Sequence, residues 1–250
     1  MNDVSISPTV AIVTGGAGAM GSAITRELIH RGCRVVIGYR AGEQAARELA
    51  DELGNENVNL VHADLADRNA AETLLDAATA RWSSPTILVN NAGMMTHSLV
   101  AEMKDEQWDE MLDVNLSAAF RLSRAVIPGM IAAGTGRIVN VSSQAAYRGS
   151  IGRAHYAASK AGLLGLTYAL ARELGPSGIT VNAVVPGRIE SEMVTEHSNE
   201  ARVQQWLDAT PLGRLGTPEE LASTVGYLTS PGASYVTGAA LQVGGGLVMG

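Results

Sequence analysis

The strongest constraint on the fold is the regular recurrence of short apolar runs: "TVAIVTG", "RVVIGY", "VNLVHAD", "PTILVNNAG", "GRIVNVSS", "GITVNAVVPG" and "ALQVGGG". Continuous rather than alternating apolar character marks strands buried on both faces, the condition of a parallel sheet. Between them lie segments of helical length, among them "GSAITRELIHRG", "GEQAARELADELG", "DRNAAETLLDAATARW", "KDEQWDEMLDVNLSAAFRLSRAVIPGM", "YAASKAGLLGLTYALARELG" and "TPEELASTVGYLTS". Right-handed crossovers through such helices predict an α/β fold: a doubly wound parallel sheet with helices on both faces. Ligand sites in such sheets gather beyond the carboxyl ends of the strands.

With 250 residues, 46% of them hydrophobic, and no break between halves, the chain is expected to form one domain over 9–250 behind a flexible arm, 1–8. A net charge of −7 with scattered basic residues argues against nucleic acid as a partner, because a phosphate backbone rewards clustered Lys and Arg. A lone Cys33 excludes an internal disulfide, and the histidines at 30, 62, 97, 155 and 197 show no metal-ligand spacing, so no metal is expected. The start "MNDVSISPTV" lacks the basic and apolar pattern of a signal peptide, and no apolar run approaches the ~18 residues of a membrane span. A cytoplasmic protein without a membrane partner is the expectation.

The first strand runs into "TGGAGAMG", Thr14 to Gly21. Read as G-x-G-x-x-G, its glycines are Gly16, Gly18 and Gly21, placed where a tight turn, close approach of a pyrophosphate and a helix start are needed. The position after a strand and before a helix points to a dinucleotide. About 20 residues on, where a carboxylate takes the ribose hydroxyls of NAD, the chain carries Tyr39 and Arg40, with no acid before Glu43. A guanidinium there suits a 2′-phosphate, so NADP(H) is expected to be preferred, with NAD(H) as the alternative.

With these landmarks the chain resembles the short-chain dehydrogenase/reductase family from about Thr9 to Met249, which implies a Rossmann fold. "TGGAGAMG" is similar to that family's T-G-x-x-x-[AG]-x-G loop, with Gly15, Ala19 and Gly21 at the motif positions and Ala17, Gly18 and Met20 among the loop contacts. Asp64 and Leu65 resemble the adenine contact after the third strand. "NNAG", including Asn91, Ala92 and Gly93, resembles the stretch that walls the adenosine side and braces the sheet. "PGRIES", with Pro186, Gly187, Ile189 and Ser191, resembles the segment beside the nicotinamide.

The resemblance also implies the active-site residues. Tyr156 and Lys160 form Y-x-x-x-K, whose i, i+4 spacing puts both on one helix face. Ser143, 13 residues before Tyr156, has the family's spacing for the catalytic serine and is chosen over Ser142. Asn115 resembles the asparagine that interrupts a long helix and holds a water against the lysine. Lys160 is one of only two lysines, with Lys104, among 18 basic residues, and the chemistry gives it a reason. A tyrosine loses its proton near pH 10, and a nearby ammonium is expected to lower that value. Ser143 would polarise a carbonyl, Tyr156 would exchange a proton with its oxygen, and hydride would pass to or from the cofactor.

The implied reaction is interconversion of a ketone and a secondary alcohol. In pattern, "MKDEQWDEMLDVNL", "PLGRLGTPEELA" and "VTGAALQVGGGLVMG" look most like the 3-oxoacyl-carrier-protein reductases of the family. Two surfaces depart from that pattern: "GMIAAGTG" after Pro128 and the turn "GPSG" lack basic residues that would dock an acidic carrier, whereas Arg148, Arg153 and Arg188 remain beside the expected cleft. The substrate is therefore a ketone or alcohol, carrier-linked or a small free ketone, sugar, quinone or steroid. A non-catalytic dinucleotide sensor is the alternative of another class. The resemblance further implies a homotetramer, with Ala157, Ala158, Ala161 and Gly162 allowing close helix approach and Leu163, Leu164 and Leu166 adding apolar area. A substrate lid is expected at about 188–210, with Met193, Val194, Trp206 and Leu207 turned to the cleft.

Overall fold

In a computed structural model that describes residues 9–190 and 200–249, every apolar run becomes a strand. The order is β1 (Val10–Thr14), α1 (Ala19–His30), β2 (Arg34–Tyr39), α2 (Glu43–Leu53), β3 (Val58–His62), α3 (Ala70–Arg81), β4 (Ile87–Asn90) and α4 (Asp105–Leu112). A π turn (Asp113–Ser117) leads into α5 (Ala118–Ala133), then β5 (Gly136–Val141), α6 (Ala145–Arg148), α7 (Ala154–Leu174), β6 (Ile179–Pro186), α8 (Glu200–Asp208), α9 (Pro218–Thr229) and β7 (Ala240–Val243). The expected arm, 1–8, lies outside the described residues.

The strands form one sheet in the order β3-β2-β1-β4-β5-β6-β7, every pair parallel. The winding reverses between β1 and β4, so the crevice at their carboxyl ends is the place for a ligand. All of β1 and all of β6 are buried, as continuous apolar runs require. Ile24, Leu28, Leu49 and Leu221 pack one face of the sheet from α1, α2 and α9. Leu74, Leu122, Met130 and Leu170 pack the other from α3, α5 and α7. The start of α9 was legible in "TPEE": Thr217 Oγ1 accepts from the Glu220 amide at 3.3 Å, Glu220 Oε2 accepts from the Thr217 amide at 2.9 Å, and Pro218 opens the helix.

Two expectations are corrected. Leu163 and Leu164 do not supply an outward apolar surface; they are buried beneath α7, and Leu166 packs partly against the same core. The outward face of α7 is Ala161, Gly165, Tyr168 and Ala169. The continuous helical stretch Asp105–Ala133 is also long and apolar enough to cross a membrane by length and composition, with a mean hydropathy of 1.2 over its most apolar 18 residues, against the expectation that no segment would be. Its interior holds an Asp113–Arg121 ion pair at 2.8 Å and a buried Asn115, groups that are expensive in lipid. Its inner face packs on the sheet, as in a helix of a protein core.

Candidate active site

The glycine loop is decided by sterics. Gly15 has φ +61, and a Cβ on Gly21 would sit 2.0 Å from the Gly15 carbonyl oxygen, so neither position accepts a side chain. These are the ends of the T-G-x-x-x-[AG]-x-G reading, and Ala19 between them begins α1. Gly18 caps that helix without any side-chain hydrogen bond, leaving its first amides directed at the crevice. Ala17 and Met20 pack partly against the core below. Gly15 N donates to Gly38 O at 2.8 Å, and Asn91 Nδ2 donates to Thr14 O at 2.9 Å and Gly15 O at 3.2 Å. Thr14 Oγ1 accepts the amides of Asn91 and Ala92 at 3.1 and 3.0 Å. The "NNAG" stretch is thus pinned to the glycine loop, and Thr14 is a positioning residue that the sequence reading passed over.

At the end of β2, Tyr39 meets His62 of β3 edge-on at 5.6 Å, and the Arg40 side chain is exposed beside them. Asp64 turns the chain by accepting the Ala66 amide at 3.0 Å. Leu65 is fixed from below: Arg121 donates to its carbonyl at 3.0 Å and to Asp113 at 2.8 Å. Arg121 was not singled out from the sequence. Its only signal there is a basic residue eight places after an acid on a helix.

Asn115, Ser143, Tyr156 and Lys160 come together at the ends of β4 and β5. The long helix is interrupted at Asn115 by the π turn, but the side chain is committed: Oδ1 accepts from Met94 N at 2.8 Å, and Nδ2 donates to Met94 O at 2.9 Å and Ser159 Oγ at 3.2 Å. Any water held by this residue would therefore meet its main chain. Gly93 closes the group, since a Cβ there would lie 3.1 Å from Asn115 Oδ1 and 3.3 Å from Lys160 Nζ. The two serines separate cleanly. Ser142, buried, donates to Lys160 O at 2.8 Å, whereas Ser143 is near enough to the Tyr156 hydroxyl to favour its phenolate.

Lys160 is 4% exposed, donates to Val141 O at 2.9 Å, and lies 5.9 Å from the centre of the Tyr156 ring. Burial lowers its pKa to about 8. Tyr156 departs from expectation. Burial raises its pKa above the usual value, outweighing the Ser143 hydrogen bond and the Arg153 charge that favour the phenolate. The Lys160 ammonium, over the ring and 5.9 Å from its centre, does not offset the loss of solvent, which favours the protonated phenol. Beneath the site a buried polar chain, Asn90 to Asn140 at 2.8 Å and Asn140 to Thr167 at 2.9 Å, ties β4 and β5 to α7.

On the remaining side, Pro186 O accepts the Gln144 amide at 3.0 Å, and Gly187 N donates to Val243 O at 2.9 Å. Ile189 is buried and bridges Gly216, with Glu190 N donating to Gly216 O at 2.9 Å. Ser191, Met193 and Val194 lie outside the described residues. Trp206 of α8 is stacked by the Arg188 guanidinium at 4.2 Å, and Arg148 donates to Leu247 O at 3.4 Å. Among the described residues no three His, Cys, Asp or Glu side chains are grouped to hold a metal.

A family model described as enoyl-(acyl carrier protein) reductase matches residues 15–248. The 3-oxoacyl-(acyl-carrier-protein) reductase FabG of Pseudomonas aeruginosa is 44% identical over 249 residues, covering 98% of this chain and 100% of that protein. Its counterpart in Vibrio cholerae is 41% identical over 246 residues, with the same coverage. Nodulation protein G of Rhizobium meliloti is 43% identical over 240 residues, covering 96% of both chains. Identity at this level over the whole sheet, together with the glycine loop, the pinned "NNAG" stretch and the Ser143, Tyr156 and Lys160 cluster, leaves one assignment: the chain belongs to the short-chain dehydrogenase/reductase family and is an oxidoreductase.

Proposed function

We propose that the chain reduces the ketone of a 3-oxoacyl thioester with NADPH, using Tyr156 as the proton donor. The observation that carries this reading is the gathering of Ser143, a buried Lys160 ammonium and Tyr156 at one corner, with the Lys160 nitrogen 5.9 Å from the Tyr156 ring centre. The names of the relatives supply the substrate class. Oxidoreductase membership sets the sensor alternative aside.

The residues present fit a dinucleotide. Gly15 and Gly21 admit no side chain, the first amides of α1 have no side-chain cap, and Asn91 Oδ1 is buried without a protein partner. Gly15, Ala17, Gly18, Ala19, Met20 and Gly21 would hold the pyrophosphate side, and Asp64, Leu65, Asn91, Ala92 and Gly93 the adenosine side. Pro186, Gly187, Ile189 and Ser191 would hold the nicotinamide. When bound, that cofactor supplies hydride for the carbonyl carbon. Ser143 and Tyr156 would both donate to the carbonyl oxygen, which gains negative charge as the carbon is reduced. Tyr156 would then release its proton. Lys160 would hold the ribose side and steady the resulting phenolate, and the Asn115 main chain would position a relay water. A purified sample that oxidises NADPH with acetoacetyl-coenzyme A faster than with simple ketones, sugars, quinones or steroids would meet the expectation; the reverse order would move the assignment to a free-ketone reductase.

The cofactor preference is proposed from Tyr39 and Arg40, which stand where NAD enzymes place a carboxylate. One charge-assisted contact is worth about 1.5–3 kcal/mol. Arg40→Ala is therefore expected to lower the NADPH over NADH ratio in kcat/KM about ten- to a hundredfold. Equal ratios in the wild type and the variant would refute the assignment.

Residues 188–210 are read as a substrate lid, of which 191–199 lie outside the described residues; support comes from the Ile189 bridge to Gly216 at one end and Trp206 stacked on Arg188 at the other. A homotetramer is supported by the outward faces of α5 and α7, where Phe120, Ala161, Gly165 and Tyr168 are exposed. A cytoplasmic location suits an NADPH enzyme whose one thiol, Cys33, is buried and free.

A further inference from the structure

Arg153 stands immediately before α7 as its N-cap, three residues ahead of Tyr156, and its charge acts on the Tyr156 hydroxyl. Its backbone is fixed from both directions: its amide donates to Ser150 O at 3.0 Å, and its carbonyl accepts from Ala157 N at 2.9 Å. The loop after β4 closes against the same corner, with Ser98 N donating to Gly152 O at 2.8 Å. On a neighbouring turn, Thr96 Oγ1 and the buried His155 ring are hydrogen-bonded at 2.9 Å. Arg153 is therefore anchored at the corner that precedes Tyr156 rather than on a free surface loop.

One of its guanidinium nitrogens is unsatisfied. Nε is buried with no hydrogen-bond partner, and no carboxylate pairs with Arg153 among the described residues. By contrast, Arg26, Arg31, Arg47, Arg121 and Arg214 each hold an acid. The other two arginines expected near the cleft are occupied, Arg148 on the Leu247 carbonyl and Arg188 on the Trp206 ring. A partly buried guanidinium without an anion is costly, and a ligand that brings one removes the cost. Its charge also reaches the Tyr156 hydroxyl, where it favours the phenolate.

We infer that Arg153 is the anion-recognising group of the substrate site and that the chain reduces oxo acids whose carboxylate lies within a few bonds of the carbonyl, alongside thioester-linked ketones. The inference rests on the proposed role of Tyr156 as proton donor. A guanidinium close enough to act on the Tyr156 hydroxyl selects a carboxylate on the reacting molecule itself; the phosphate of a carrier arm lies too many bonds from the thioester carbonyl to reach both. In the reaction the carbonyl carbon accepts hydride from the reduced nicotinamide, the C=O π bond breaks, and the oxygen takes the Tyr156 proton. The carboxylate is unchanged, and the products are the hydroxy acid and the oxidised nicotinamide.

The test compares acetoacetate with methyl acetoacetate in the wild type and in Arg153→Gln and Arg153→Lys. In Arg153→Gln the acid over ester ratio of kcat/KM is expected to fall about ten- to a hundredfold, chiefly through KM for the acid, with part of the ratio restored in Arg153→Lys. Calorimetric titration of butyrate into the NADP-loaded protein is expected to weaken by a similar factor in Arg153→Gln. An unchanged ratio, or butyrate affinity that does not depend on Arg153, would overturn the inference. Tyr156→Phe run alongside separates the two readings: ester turnover surviving there would remove the proton-donor role, whereas the butyrate titration would still report on Arg153.

Discussion

Tyr156→Phe is expected to lower kcat for ketone reduction by about three orders of magnitude, with the chain still folded. A positioned general acid contributes about 10²–10⁴-fold, and no other described side chain at the site is placed to replace this one. Ser143 can polarise a carbonyl, but a serine hydroxyl is a poor proton donor. Lys160 is turned to the Val141 carbonyl. The direction of the Tyr156 shift adds a second observable. Because burial raises its pKa, the phenol is the dominant form throughout the neutral range, which loads the site for reduction. The reductive rate should hold as pH rises and fall only above the ordinary tyrosine range, whereas alcohol oxidation, which needs the phenolate, should climb with pH through neutrality. Steady-state rates in both directions across pH, for the wild type and Tyr156→Phe, test the two expectations together. A variant retaining more than about a tenth of the wild-type reductive kcat would mean that the proton comes from elsewhere.

Much of this architecture was legible because the relevant signals are local. A strand buried on both faces must be continuously apolar, and each such run became a strand with its neighbours in parallel register. The glycine loop was legible for the same reason, since Gly15 and Gly21 answer to backbone sterics within eight residues. What escaped the sequence depends on contacts across the sheet. The role of Thr14 is set by amides 77 and 78 residues away, and that of Arg121 by a carbonyl 56 residues away. The outward face of α7 was misjudged at Leu163 and Leu164 because Ala, Gly and Leu alternate along this helix with little amphipathic contrast. Only packing decides which side meets the sheet. The Tyr156 shift was expected in the wrong direction for a related reason. The i, i+4 spacing brings the ammonium near, but it says nothing of how much solvent both groups lose.

Lys160→Met should produce a more stable protein with almost no activity. The ammonium is buried, and its pKa in the folded chain is about 8, against 10.5 for the free side chain. That difference corresponds to about 3 kcal/mol of destabilisation. The sign follows from proton binding. Between about pH 8 and 10.5 the unfolded chain binds more protons at this lysine than the folded one, so stability rises with pH there; below pH 8 both states are charged and the full penalty applies. A methionine of similar length removes the charge and keeps the packing, at the loss of the hydrogen bond to Val141 O, worth about 1 kcal/mol. The expected net gain is about 2 kcal/mol at pH 7, shrinking as pH approaches 10.5. Activity should fall at least about a hundredfold, because the phenolate formed on Tyr156 would lose a buried cation that steadies it. Denaturant unfolding of the wild type and Lys160→Met at pH 7 and pH 10, with kcat measured alongside, makes the comparison. A variant less stable than the wild type at pH 7 would show that the ammonium is better solvated than its burial implies. An active variant would show that the charge at 160 is structural rather than chemical.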